Sequence, residues 1–96
     1  MTIIIYMQEL KKELQIAIAK IVRKYRDKSI TKSADEIGMG KSMWADLENG
    51  IKDPQFSTFW RIAEGLDMKP HLLVKEIEEY LGDEFSFLEN SNGANR

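Results

Sequence analysis

The sequence predicts a small all-α protein of five helices joined by tight turns. Apolar residues recur at intervals of three and four over most of the chain, which is the spacing of one face of an α-helix. A polar turn separates the first two of these periodic segments, and glycine or proline separates the later ones. The chain has 96 residues, of which 43% are hydrophobic and 31% charged. It is therefore long enough for one domain with a single modest core.

The first and second predicted helices are separated by a short polar turn. The first covers residues 7–27, and its apolar face is formed by Leu10, Leu14, Ile18, Ile21, Val22 and Tyr25. Ser29 or Thr31 can cap the second helix, because a side-chain oxygen there accepts a hydrogen bond from a free amide of the first turn. Gly38 suits the left-handed position that follows a helix, so we expect the second helix to stop there.

The third predicted helix, residues 41–49, is short and carries one large aromatic side chain. Trp44 and Leu47 are spaced as neighbours on one face, and Gly50 ends the helix. We expect both side chains to point into the protein. The remaining face then points outward, and its residues are Lys41, Ser42, Ala45, Asp46 and Asn49.

The fourth and fifth predicted helices complete the core. The fourth begins at Pro54 or Ser57 and ends near Gly65, and Pro70 suits the first position of the fifth. Gly82 ends the fifth helix. The apolar residues assigned to the core are Phe56, Phe59, Trp60, Ile62, Ala63 and Leu66 in the fourth helix and Leu72, Leu73, Ile77, Tyr80 and Leu81 in the fifth.

The two ends of the chain lie outside this predicted domain of residues 7–82. Residues 1–6 form an N-terminal extension with the strand-like segment TIIIY, and residues 83–96 form a partly disordered C-terminal tail. In that tail Phe85, Phe87 and Leu88 alternate as in a short strand. Both ends are apolar enough to bury, so we expect one or both to mediate a homodimer. Alternatively, Met7 is the functional start and the first six residues are loose.

Several classes of function lack the residues that they need. The sequence has no cysteine and only one histidine, His71, so it predicts no thiolate or His-rich metal site and no cofactor. It has no Gly-rich phosphate loop and no serine beside a base, so we expect no enzyme. Ile3-Ile4-Ile5 is too short to span a bilayer and lacks the flanks of a signal peptide, which predicts a cytoplasmic protein.

The charged residues are distributed unevenly. Residues 1–32 carry eight Lys or Arg against three Asp or Glu, whereas residues 33–96 carry six against thirteen. The net charge of −2 therefore hides a basic N-terminal part and an acidic remainder. A polyanion would meet the basic part. A solvated helix face explains the same lysines without any ligand.

Residues 29–73, SITKSADEIGMGKSMWADLENGIKDPQFSTFWRIAEGLDMKPHLL, resemble the DNA-binding domain of phage-repressor (XRE/Cro-type) helix-turn-helix regulators. The resemblance covers about half of the chain. It rests on Ala34, Gly38, Trp44, Leu47-Glu48-Asn49-Gly50, Pro54 and the segment FWRIAEGLDMKP. It implies a compact five-helix, lambda-repressor-like fold whose second and third helices form the helix-turn-helix.

The resemblance also implies contacts with double-stranded DNA. The third helix would enter the major groove, with base contacts from Lys41, Ser42 and Asp46 and with Ala45 or Met43 near a thymine methyl. Phosphate contacts would position the protein. The residues implied for them are Ser29, Thr31, Lys28, Lys32, Asn49 and Lys52.

Trp44, Leu47 and Glu48 have structural roles in this interpretation. In the family, the residue at Glu48 pairs with an arginine of the first helix. Counting back from Glu48 along the family pattern without a gap puts Arg23 at the position of that arginine. The apolar periodicity instead puts Arg26 at the border of the buried face. We prefer Arg23. Gly40 departs from the family pattern, because a Ser or Thr usually caps the third helix there.

Two functions therefore follow from the sequence. The resemblance implies a sequence-specific DNA-binding transcriptional regulator, a repressor or autoregulator that acts as a homodimer on a near-palindromic site. The alternative is an antitoxin-like protein-interaction module whose acidic C-terminal region binds a basic, toxin-like protein. A palindrome upstream of the gene would favour the first, and an adjacent toxin-like gene would favour the second.

Overall fold

The computed structural model describes residues 2–88 of the chain, and within this range it consists of five α-helices and no strand. The helices are α1 (Thr2–Tyr25), α2 (Ile30–Glu36), α3 (Lys41–Glu48), α4 (Phe56–Gly65) and α5 (Pro70–Leu81). The prediction of an all-α protein with five helices is confirmed. Residues 89–96, where disorder was predicted, lie outside the described residues. In the described part of the chain, no helix combines the length and hydropathy needed to cross a bilayer.

Helix α1 begins earlier than the sequence predicts. It is continuous from Thr2, so the segment TIIIY is helical and its strand-like interpretation is wrong. The run of β-branched isoleucines favours a strand locally. Strong helix formers follow this run, and extending an existing helix costs less free energy than starting a new element. The predicted strand at residues 85–88 is also wrong, because these residues have no regular secondary structure, and the Phe85 and Phe87 rings meet edge to face with their centroids 5.4 Å apart.

The core is one cluster to which all five helices contribute. Its largest fully buried side chains are Trp44, Ile62, Leu73 and Val22. Helix α1 packs against α3 and α5, α4 packs against α5, and α2 packs against both α3 and α4. The turn after α3 comes close to α1, because a Cβ atom on Gly50 would lie 3.3 Å from Ile16 Cγ1. With φ at +78°, this position favours glycine for its backbone conformation as well.

Four residues predicted to be buried lie on the surface instead. Phe56 is 71% exposed, and Trp60, Leu72 and Tyr80 are also exposed. The core of so short a chain covers only one stripe of α4, formed by Phe59, Ile62 and Ala63. Phe56 and Trp60 lie outside that stripe and pack against each other edge to face, with ring centroids 5.9 Å apart. The apolar periodicity therefore overestimates the width of the buried face.

Candidate nucleic-acid interface

Helices α2 and α3 form a unit joined by the turn of residues 37–40. Ser29 caps α2, as predicted, because its Oγ accepts a hydrogen bond from the Lys32 amide at 3.1 Å. In the turn, Gly38 has φ at +69°, and the Met39 amide donates to the Ala34 carbonyl at 2.9 Å. Helix α3 starts after Gly40 and has no side-chain cap. The turn is therefore closed by backbone hydrogen bonds.

The inner face of α3 is held in the core. Trp44 is fully buried and Leu47 is 2% exposed, which confirms the predicted orientation of both side chains. Glu48 is also buried, although it is charged. A carboxylate in such a position needs hydrogen-bond donors and an opposite charge.

Glu48 binds side chains from α3 itself and from the segment that follows α1. Arg26 donates from Nε to Oε2 at 2.6 Å and from Nη2 to Oε1 at 3.1 Å, a bidentate pair. Trp44 donates from Nε1 to Oε2 at 2.7 Å. Arg26 also donates from Nη1 to the Lys28 carbonyl at 2.7 Å. One buried carboxylate thus ties α3 to the end of α1 and to the loop before α2.

The surroundings of Glu48 favour its ionised form. Burial raises the pKa of this carboxyl, but the hydrogen bonds from Arg26 and Trp44 and the charges of Arg26 and Arg23 outweigh burial. The pKa of Glu48 therefore lies below its ordinary value of 4.5. The hydrogen bond to Glu48 raises the pKa of Arg26. At neutral pH this is a fully charged pair.

The preference for Arg23 as the partner of Glu48 is wrong. Arg23 Nε lies 3.7 Å from Glu48 Oε1, and its side chain is 62% exposed. The Arg26 side chain is 22% exposed and makes the short bonds. Arg26 follows the last residue of α1, where the chain bends toward α2, so its guanidinium reaches the buried end of α3. The apolar periodicity had placed Arg26 at the border of the buried face, and that signal was the correct one.

The outer face of α3 consists of Lys41, Ser42, Ala45, Asp46 and Asn49. Lys41, Ser42 and Asn49 are exposed, and Ala45 and Asp46 are half-buried. Within residues 2–88, none of the polar side chains of this face hydrogen-bonds to another part of the protein. Their donors and acceptors are therefore available to a ligand. Met43, beside this face, is 48% exposed, whereas Met39 is buried.

The residues expected near phosphates lie at both ends of the α2–α3 unit. Ser29, Thr31 and Lys32 are exposed in and before the first turn of α2, and Lys52 is exposed just after α3. Lys28 differs from the others, because its ammonium group contacts Glu36 Oε1 at 2.8 Å, which raises the pKa of Lys28. An exposed pair of this kind is weak and exchangeable. Lys28 would have to leave Glu36 to contact a phosphate.

Two features next to α3 were not predicted. Arg61 of α4 donates from Nη1 to the Ile37 carbonyl at 2.8 Å and so supports the turn between α2 and α3. A cavity of about 270 Å³ lies between α3 and the start of α4, lined among others by Met43, Lys52 and Gln55. No local sequence signal indicates either feature. Both depend on how α4 crosses the α2–α3 unit.

The outer face of α3 supplies hydrogen-bonding side chains. In the described ranges, no three His, Asp or Glu residues lie close enough together to hold a metal ion. Lys41 and Ser42 can donate, and Asp46 and Asn49 can accept, on one exposed helix face. Comparison with known protein families, characterised proteins and solved structures found no match for this chain.

Replacing Gly40 with serine is expected to stabilise the protein by up to about 1 kcal/mol. Gly40 has φ at −67° and ψ at 147°, an extended conformation that serine adopts without strain, and a Cβ atom there would meet no atom within 4 Å. The new Oγ can accept from an amide of the first turn of α3, which has no side-chain cap. Urea unfolding measures the effect. Gly40→Ala is the control, since it lacks that oxygen and should gain less; equal stabilisation by both variants would contradict a capping effect.

Proposed function

We propose that this protein is a sequence-specific DNA-binding transcriptional regulator of the XRE/Cro type, acting as a repressor or autoregulator. In this proposal α2 and α3 are a helix-turn-helix within a lambda-repressor-like fold, and α3 is the recognition helix. The observation that carries it is the division of α3 into two faces. Trp44, Leu47 and Glu48 are held in the core, whereas the outer face presents uncommitted polar groups.

The outer face of α3 has suitable chemistry for base recognition in the major groove. Lys41 can donate to guanine O6 or N7, and Asp46 can accept from cytosine N4. Ser42 can donate or accept, and Ala45 or Met43 can contact a thymine methyl. A helix of eight residues is about 12 Å long, comparable with the width of the groove.

The basic side chains around α3 are proposed to contact phosphates. Lys32 and Lys52 are exposed at opposite ends of the α2–α3 unit. Ser29, Thr31, Lys28 and Asn49 are the other proposed contacts, with Lys28 exchanging Glu36 for a phosphate. These contacts set the position of the protein on DNA and carry no sequence information. Two copies of the chain are proposed to bind two half-sites as a homodimer.

Lys41→Ala is expected to weaken binding to the DNA upstream of the protein's own gene about 5- to 150-fold, the loss of one good base contact. A fluorescence-anisotropy titration at 50 and 200 mM salt measures this change. Lys75→Ala is the matched control. Lys75 is an exposed lysine of α5, which packs against α1 and α4. Its removal should leave the affinity within about twofold, since it is remote from α3.

The titration distinguishes loss of sequence preference from loss of DNA binding. Specific binding should fall steeply between the two salt concentrations, because phosphate contacts release counterions. Binding that is equal for unrelated DNA would contradict the assignment of α3 as a recognition helix. Absence of binding at both salt concentrations would contradict the DNA-binding function as a whole.

A second candidate function is an antitoxin-like module that binds a basic protein through the C-terminal region. The observation that favours it is the concentration of carboxylates at this end of the described chain. Those carboxylates, in α5 and just after it, are Glu76, Glu78, Glu79, Asp83 and Glu84. An acidic surface fits a basic partner. A toxin-like gene beside this one would favour this function.

A further inference from the structure

The cavity between α3 and the start of α4 runs from the protein surface to the core. Its volume is about 270 Å³. Three buried side chains of the core form its inner end, namely Met39, Leu47 and Ile62. Lys52 and Gln55 line it as well and are exposed, so they lie at its mouth. This space, here called the α3–α4 cavity, therefore offers an apolar interior and a polar entrance.

The interior of the α3–α4 cavity suits a small aromatic ring. Two of its lining side chains are methionines, Met39 and Met43, whose flexible thioethers adapt in shape and contact ring edges favourably. An apolar cavity of about 150 Å³ already holds a benzene molecule. The larger volume here accommodates one ring with a short chain attached. It lies below the roughly 300 Å³ at which sites for drug-sized ligands begin, so a larger ligand is not expected.

The mouth of the α3–α4 cavity suits a carboxylate. In the part of the chain that the structure describes, Lys52 belongs to no ion pair. Asp53 also lines the cavity, but its carboxylate lies 3.5 Å from Lys11 Nζ, which offsets its charge. Gln55 and Thr58 line the cavity too, and within residues 2–88 neither side chain hydrogen-bonds to another residue. One cation and two neutral donors are thus available to an anionic group.

We propose that the α3–α4 cavity binds a small aromatic carboxylate, an aryl ring joined to its acid group by a short chain. The ring packs against Met39, Leu47 and Ile62, and the carboxylate accepts hydrogen bonds from Lys52 and Thr58. A neutral aromatic compound would not use Lys52, and an inorganic anion would not fill the apolar interior. A small aromatic acid matches both ends of the cavity.

Occupation of the α3–α4 cavity opposes DNA binding by α3, a consequence that rests on the proposed function. Lys52 is a proposed phosphate contact and Met43 a proposed thymine contact, and both line the cavity. A bound carboxylate compensates the charge of Lys52 and adds negative charge beside the DNA backbone. The acid and the DNA thus use the same side chains, and each lowers the affinity for the other by the same factor. The α2–α3 unit then has an effector site of its own.

Ligand binding is tested on the full-length protein without DNA. Phenylpropionate is titrated into the millimolar range and followed in two-dimensional amide NMR spectra. Saturable shifts should concentrate at Met39, Leu47 and Ile62. Phenylpropanol has the same ring without the charge, and we expect it to bind about three- to tenfold more weakly. Absence of saturable shifts, or shifts concentrated in another part of the protein, would overturn the proposal.

Two substitutions test the two ends of the cavity separately. Lys52→Ala should weaken binding of phenylpropionate about three- to tenfold and leave that of phenylpropanol within about twofold. Thr58→Phe places a ring in the cavity and should abolish binding of both compounds. Lys75→Ala is the control and should change neither affinity, since Lys75 does not line the cavity. Equal losses of acid and alcohol in Lys52→Ala, or unchanged binding in Thr58→Phe, would overturn the proposal.

The effect on DNA binding is measured in a separate titration. Saturating phenylpropionate should raise the dissociation constant for the DNA upstream of the gene at least about fivefold, with sodium acetate at equal concentration as the control for ionic strength. Unchanged DNA affinity with the cavity filled would overturn the coupling. Failure to bind DNA at all would contradict the proposed function, whereas the ligand site is decided by the titration of the protein alone. Circular dichroism checks that the variants are folded; Lys52 is exposed, so Lys52→Ala decides the charge contact even if Thr58→Phe unfolds.

Discussion

Trp44→Ala is expected to lower the free energy of unfolding by about 3–5 kcal/mol. Trp44 is fully buried, so the substitution leaves a large cavity in the only extended core that the described residues form. It also removes the Nε1 donor that reaches Glu48 Oε2 at 2.7 Å. Small domains are stable by only about 5–15 kcal/mol, so a large share of the folded state should be lost at 37 °C.

Trp44→Phe separates the two contributions of the indole. Phenylalanine keeps an aromatic ring in the core but cannot donate to Glu48, and we expect a loss of about 1–3 kcal/mol from the missing hydrogen bond and the smaller ring. Urea unfolding followed by circular dichroism measures both variants against the wild type. A cost below about 1 kcal/mol for Trp44→Ala would contradict the position of this side chain at the centre of the core.

Arg26→Ala is expected to destabilise the protein by about 3–5 kcal/mol, because it leaves the Glu48 carboxylate buried without its bidentate partner. Arg23→Ala is the matched control. Arg23 is mostly exposed and lies 3.7 Å from the same carboxylate, so its removal should cost at most about 1 kcal/mol. Equal costs for the two substitutions would contradict the assignment of Arg26 as the principal partner of Glu48.

The difference between the wild type and Arg26→Ala should depend on pH. Because the folded-state pKa of Glu48 is lowered, its contribution is fully present above the ordinary value of 4.5. It is lost as the pH falls through the lower, folded-state pKa. The stability gap between the two proteins should therefore be constant near neutral pH and shrink below pH 4.5. A gap that widens toward acid would contradict the direction of this pKa shift.

The ends of the helices were predictable where local chemistry determines them. Ser29 caps α2, Gly38 and Gly50 take the positive φ values that end α2 and α3, and Pro70 opens α5. The start of α1 was not predictable in this way. No preferred capping residue precedes Thr2 in the sequence. The isoleucine run favours a strand by itself, whereas the helix formers that follow it favour a helix that extends through it.

The buried partners were harder to predict than the helices. The spacing of Trp44 and Leu47 identifies the inner face of α3, and the outer face follows by elimination. The partner of Glu48 depends on how α3 crosses the end of α1, which no spacing within one helix determines. The hydrogen bond from Arg61 to the Ile37 carbonyl joins residues 24 positions apart, and it also depends on how two helices cross. The exposure of Phe56 and Trp60 reflects the limited size of the core rather than the pattern of α4.

The division of α3 into two faces has a consequence for how this protein can diversify. The outer polar side chains make no hydrogen bonds to the rest of the described chain, so the scaffold imposes few demands on their identity. Substitutions at Lys41, Ser42 or Asp46 are close to neutral for folding. Lineages derived from this chain could therefore change the chemistry of this surface without first acquiring compensating changes in the core.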